Sequence, residues 1–187
     1  MLSEGDLKPA DVLLSTGSAK VSLAIRVGTM SRFSHATLYI GDGEIVEAIG
    51  SGVTRSTLRQ AMADDTLVTA YRRMRMSEAQ GLQVVRYAKQ QVGKAYDYAG
   101  AAGGGVTSPS GFLLSVFVSP IITVAGVAAD VINRSDPEAK FYCSELVALS
   151  FDRAGVSLGS GAASSTPEDL GRSHNLTLIG TLKDTDA

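Results

Sequence analysis

Polar and apolar residues alternate along His35-Ala36-Thr37-Leu38-Tyr39-Ile40, the chain turns at Gly41-Asp42-Gly43, and Glu44-Ile45-Val46-Glu47-Ala48 returns. A period of two on both sides of a glycine-rich turn predicts a β-hairpin. Val12-Leu13-Leu14-Ser15, following Pro9-Ala10-Asp11, is expected to form a short buried strand, residues 66–72 another, and Leu176-Thr177-Leu178-Ile179 the last. Elsewhere the spacing is helical. Ser18 is placed to cap a helix carrying Val21, Ala24, Ile25 and Val27 on one face and ending at Gly28. Ser77 starts an amphipathic helix with Ala79, Leu82, Val85, Ala88 and Val92 on or near one face, ending at Gly93. A helix opens at Cys143 and stops at Gly155. Thr166-Pro167-Glu168-Asp169 has the marks of a helix start: a hydroxyl cap, proline at the first helical position and acids in the first turn.

Residues 98–129 break the pattern, because no charge occurs from Tyr98 to Ala129. The first part is Gly/Ser-rich; the second, Phe112 to Val127, is strongly apolar and is interrupted at Pro120. A bilayer-spanning helix needs roughly 20 apolar residues, and this stretch falls just short. Buried helices, a flap over a substrate groove and a lipid-contacting surface are the readings left open.

At 187 residues the chain is expected to be a single domain with an apolar Gly-rich insertion at about 98–135. The net charge of −2 gives no electrostatic reason for a nucleic-acid partner, and the short basic run at Arg72, Arg73 and Arg75 reads as a solvated face. A single cysteine allows no internal disulfide, and no metal-ligand spacing occurs. The start, Met1-Leu2-Ser3-Glu4-Gly5-Asp6, lacks a basic region followed by an apolar run, so synthesis in the cytoplasm without a signal peptide is expected. A substrate outside the cytoplasm would then require another export route.

The chemistry rests on Cys143 and His35. A thiol attacks as thiolate, and a helix N-terminus favours the anion through unpaired N–H groups and the dipole. The Cys143 N–H there also points toward a developing oxyanion, and His35 can move the proton in acyl transfer. Each residue alone has a plainer reading, Cys143 as a small buried hydrophobe and His35 as a packed or exposed strand histidine. His174, in a polar loop, is expected to be exposed. Hairpin register nominates a third residue. With Gly41-Asp42-Gly43 as a three-residue loop, Ile40 pairs with Glu44 and Thr37 with Glu47, so His35 and Glu47 share a face. A two-residue loop would send Glu47 to the other face, as a solvated strand acid.

The order of segments adds a resemblance. Asp11-Val12-Leu13-Leu14-Ser15, Ser34-His35-Ala36-Thr37-Leu38-Tyr39-Ile40-Gly41-Asp42-Gly43, Val46-Glu47-Ala48, Gly93-Lys94-Ala95-Tyr96-Asp97-Tyr98, Tyr142-Cys143-Ser144-Glu145-Leu146-Val147 and Thr166-Pro167-Glu168-Asp169-Leu170 follow one another. Together they resemble the circularly permuted papain-like hydrolases of the NlpC-related superfamily, in particular the YiiX/YaeF-like group, where the histidine precedes the cysteine. The resemblance implies an α+β fold with a small antiparallel sheet packed against the cysteine helix. It implies Cys143 as nucleophile, His35 as base and Glu47 as the group that orients His35. On the substrate side it implies Tyr96 at the border of the site near the oxyanion, with a packing role as the alternative, and Tyr142 as a pocket wall next to Ser144.

Such proteins cleave amides, often in peptidoglycan peptides, whereas permuted relatives of the lecithin:retinol acyltransferase-like branch act on lipid acyl groups. The leading expectation is a cysteine hydrolase forming a thioester on bacterial envelope material, with a peptidoglycan amide first, acting as an exported antibacterial effector. A phospholipase-like acyl hydrolase or acyltransferase using the same residues is the rival, with membrane contact through Phe112–Val127. A degenerate binding module holding a partner or chaperone is the third. An immunity protein is an expected partner of the effector reading. None of the three calls for a metal or cofactor.

Overall fold

The computed structural model describes residues 1–17, 32–97, 140–159, 161 and 165–185. The expected helix from Ser18 and the uncharged 98–129 stretch lie outside these residues.

A short 3-10 turn, Glu4–Asp6, leads into β1 (Val12–Gly17). The hairpin β2 (His35–Gly41) and β3 (Glu44–Ile49) follows, then β4 (Gly52–Thr57), a one-turn helix α1 (Leu58–Ala61) and β5 (Asp65–Arg73). Helix α2 (Glu78–Gln90) precedes β6 (Ala95–Tyr96), and β7 (Lys140–Phe141) precedes α3 (Cys143–Arg153), α4 (Pro167–Gly171) and β8 (Leu176–Asp184). Six strands form one antiparallel sheet in the order β4-β3-β2-β1-β5-β8. β6 and β7 pair in parallel as a separate two-stranded ribbon. This is the expected α+β architecture.

Both faces of the sheet are packed, which explains why Val12, Leu13 and Leu14 are all apolar. Val12, Leu14, Ala36, Leu38, Val46 and Ala48 form one face and meet Val84, Val85 and Ala88 of α2, Leu146, Val147 and Phe151 of α3, and Leu170 of α4. Leu13, Tyr39, Ile45, Val68 and Ala70 form the other, covered by Leu7 and Leu58 with Leu2, Ile179 and Leu182 at the margin.

Ser77 caps α2 as expected, its hydroxyl accepting from the Gln80 N–H. The buried stripe, however, is Gly81, Val84, Val85 and Ala88, while Leu82 and Val92 are 56% and 42% exposed. Positions 81, 84, 85 and 88 repeat at i, i+3, i+4 and i+7, so the helix is rotated from the face expected through Ala79, Leu82 and Val92. Thr166 caps α4 with Pro167 at its first position, as expected.

The hairpin turn also differs from expectation. Gly41, not Ile40, pairs with Glu44, leaving a two-residue turn in which Asp42 and Gly43 both have positive φ, +55° and +71°. A register shift between Tyr39 and Gly41 then restores Tyr39↔Ile45 and Leu38↔Val46. The bulge cancels the effect of the shorter turn, so Glu47 returns to the face of Thr37 and His35.

Candidate active site

His35 is the first residue of β2, and the backbone that delivers it is tied on several sides. The Arg32 N–H donates to Glu168 Oε2 at 3.0 Å, the Thr16 hydroxyl to the Arg32 carbonyl at 2.6 Å, and the Ser34 N–H to the Ser15 carbonyl at 2.9 Å. Cys143 begins α3, with Tyr142 as N-cap. The helix is fixed at its start by buried Phe141 in β7, whose carbonyl accepts from the Asp97 N–H, and by the Ser144 hydroxyl, which donates to the Ser165 carbonyl at 2.5 Å.

The two elements meet with Glu47. His35 Nε2 lies 2.7 Å from Glu47 Oε2, with 25% and 10% of the respective side chains exposed. With Nε2 engaged by the carboxylate, Nδ1 is the nitrogen left for the thiol, and His35 and Cys143 share a hydrogen bond. The Ser56 hydroxyl reaches the other Glu47 oxygen at 3.5 Å.

The electrostatics follow from this packing. Burial works against the Cys143 thiolate, but the hydrogen bond and charge of His35, aided by the Ala36 and Ser144 N–H groups, outweigh it and hold the thiol below its ordinary value. Burial likewise works against the imidazolium, and its hydrogen bonds to Cys143 and Glu47 overcome that and push His35 up to about 10. Both shifts favour the thiolate together with the imidazolium, the state suited to attack on a carbonyl carbon followed by proton delivery.

The Ala36 N–H is a contributor that sequence reading missed. The β2–β3 ladder starts at Leu38↔Val46, so Ala36 precedes it and turns its N–H to sulfur instead. No sequence motif marks such a gap. Glu145, two residues past the nucleophile, is half-buried; burial and nearby Asp97 raise its carboxyl to about 7 despite the Tyr142 N–H donated to it at 3.4 Å.

Of the other expected residues, Tyr142 is 5% exposed at the N-cap, and burial raises its phenol. Ser144 is buried, with its side chain committed to Ser165 and its N–H to Cys143. Tyr96, on β6, packs against the helix-side core. His174 is exposed in its loop. A groove of about 480 Å³ lined by Gln83, Arg86, Tyr87, Gln90 and Arg153 involves the opposite end of α3 from Cys143. Among the described residues no three His, Cys, Asp or Glu side chains gather as a metal site, and no helix is long and apolar enough to cross a membrane.

A histidine strand preceding a cysteine helix, both on a small antiparallel sheet, defines the circularly permuted papain-like class. Residues 6–101 match the family model described as "Permuted papain-like amidase enzyme, YaeF/YiiX, C92 family", and the chain belongs to that family. That match contains His35 and Glu47 and ends before Cys143. Over 95 residues the chain is 32% identical to the "Probable lipoprotein peptidase YaeF" of Escherichia coli K12, an alignment covering 51% of this chain and 35% of that protein. The chain thus spans about a third of the length of this curated relative. The fold is similar to a crystal structure described as the metalloprotein yiiX from Escherichia coli O157:H7, with a TM-score of 0.65, 17% identity and coverage of 94% of this chain and 98% of that one.

Proposed function

We propose that the protein is a cysteine hydrolase that cleaves amide bonds through a thioester, with Cys143 as nucleophile, His35 as acid and base, and Glu47 as the residue that orients His35. The observation that carries this reading is the joining of His35 to both Cys143 and Glu47 at the start of α3. Cys143 Sγ attacks the carbonyl carbon while the Cys143 N–H at the helix start supports the oxyanion. His35 gives its proton to the departing amine, leaving an acyl thioester. Water, giving a proton to His35, then attacks that carbonyl; the acid leaves and the thiolate is restored.

Peptidoglycan peptides are the first substrate class, supported by membership of an amidase family and by the peptidase relative. In this reading the protein acts in a bacterial envelope as an exported effector. A lipid acyl substrate is the second reading, favoured by the uncharged sequence from Tyr98 to Ala129. Wild type and Cys143→Ala are incubated with purified muropeptides and with phospholipid vesicles, and the products are weighed by mass spectrometry. Stem peptides cut only when Cys143 is present support the amidase. Lysolipid or fatty acid released only with Cys143 moves the assignment to the lipid. If neither substrate changes, neither assignment stands.

A further inference from the structure

β1 and β5 pair in register at Ser15↔Val68 and Thr16↔Leu67. One step further an unbroken ladder would bring Thr66 opposite Gly17. Asp65 stands there instead, across a register shift at Thr16/Gly17. The extra residue, Thr66, is held in the bulge by its hydroxyl on the Thr16 carbonyl at 3.2 Å and by its carbonyl, which accepts from the Thr185 N–H at 2.9 Å.

The bulge decides where Asp65 points. Side chains alternate along a strand, so without it Asp65 would follow Leu67 onto the helix-packed face. Skipping one residue turns it to the face of Ser15 and Val68. Ser15 is also the cross-strand neighbour of His35, and Glu47 lies on that same face. The half-exposed Asp65 carboxylate accepts a hydrogen bond from the buried Ser15 hydroxyl and lies within electrostatic reach of His35 and Glu47.

We propose that Asp65 is a positioning residue of the site, a second carboxylate that the β5 bulge turns toward His35 and that Ser15 holds there. Glu47 fixes the ring by direct contact; Asp65 adds negative charge from the opposite side of β2 and steadies the imidazolium that the thiolate needs. The groups in direct contact with His35 are Cys143 from α3 and Glu47 from β3; Asp65 of β5 interacts with it through charge across β1, and Asp65 itself meets the Ser15 hydroxyl and the charges of Lys183 of β8 and Glu47. Lys183 is engaged by the Met62 and Ala63 carbonyls, at 2.8 and 3.0 Å.

The inference rests on the reading of His35 as the acid–base group, and its test needs no substrate. The chain has two histidines, so the ring resonances of His35 are assigned by comparison with His174→Gln and followed by NMR from pH 5 to 11. Asp65→Asn is expected to lower the His35 midpoint by about 0.5 pH unit, because an opposite charge near an imidazole favours its protonated form. Asp65→Glu is expected to restore it. Ser15→Ala keeps the charge but frees the carboxylate to turn to solvent, and is expected to move the midpoint the same way by less. If Asp65→Asn does not fold, Ser15→Ala decides. Midpoints within 0.1 unit of wild type in the folded variants overturn the role of Asp65. A wild-type His35 that titrates like the exposed His174 overturns the reading of the site itself.

Discussion

His35 and Glu47 face each other across the β2–β3 hairpin, Nε2 to Oε2 at 2.7 Å, twelve residues apart in sequence and on one side of the sheet. The carboxylate fixes which ring nitrogen faces the thiol and stabilises the charge on the imidazolium. Glu47→Gln keeps the shape but removes that charge and can present a donor where an acceptor is needed. Turnover is expected to fall by at least about tenfold, with the fold intact by circular dichroism. The His35 midpoint should fall as well, and an unchanged midpoint would deny the pairing its electrostatic role.

The state of the nucleophile has its own signature. Because His35 and two backbone N–H groups hold the Cys143 thiol below its ordinary value, alkylation by iodoacetamide should be fast at pH values where a free thiol is still protonated. The imidazolium is lost as pH rises through about 10, so hydrolysis, which needs its proton, declines there. In His35→Ala the alkylation midpoint should rise, since burial is then opposed only by the Ala36 and Ser144 N–H groups. A midpoint identical to wild type would show that the helix start, not His35, sets the thiol.

Glu145 ties stability to pH. Its carboxyl is raised in the fold from 4.5 to about 7, mainly by burial, so the native state holds a proton that the unfolded chain has released between these values. Stability from this group is therefore full below about 4.5, falls as pH rises through 7, and stays lower above. Glu145→Gln removes the penalty and retains a side chain suited to the third helical position. Its melting temperature should exceed that of wild type at pH 8 and match it near pH 4.5. Equal differences at both pH values would refute the linkage.

The buried charge of Asp11 supports the sheet away from the site. Asp11 is 1% exposed, and Arg72 meets both its oxygens, Nε at 2.7 Å and Nη2 at 2.6 Å, while the Lys8 N–H donates at 2.8 Å. Arg72→Met leaves the carboxylate without its cation. A loss of roughly 3 kcal/mol in denaturant unfolding is expected, and a loss below about 0.5 kcal/mol would place this pair with surface ion pairs.

How much of this was legible in the sequence depends on whether a feature is local. Cys143 at a helix start, His35 on a strand and the caps at Ser77 and Thr166 are local patterns, and the structure places each where expected. Glu47 came to the expected face for a partly different reason, a two-residue turn corrected by a bulge. β4 went unread because it is an edge strand, buried at Gly52 and Val53 and largely open beyond, so its alternation is mostly polar. β8, the opposite edge, runs past the expected Ile179 to Asp184 for the same reason. Asp65 and the Ala36 N–H depend on a register break and a ladder start, which pairing between distant segments decides.

One glycine joins the edge of the sheet to the segment that follows α2. Gly52 has φ of +114°, and a Cβ there would stand 2.5 Å from the Lys94 carbonyl oxygen. That carbonyl accepts from the Val53 N–H at 2.8 Å, and the Gly93 N–H donates back to the Val53 carbonyl at 2.9 Å. Gly52→Ala meets both a backbone clash and a disfavoured dihedral, with neighbouring main chain rather than a flexible side chain in the way. The strand edge must part from residues 93–95 or the turn must distort, at a cost of about 1–3 kcal/mol. Because Tyr96 and the β6–β7 ribbon continue from this contact to Phe141 and the start of α3, faster amide exchange should spread from Val53 to Phe141 in the variant. Exchange confined to the Gly52 turn would mean that the ribbon, and the nucleophile behind it, are held without this contact.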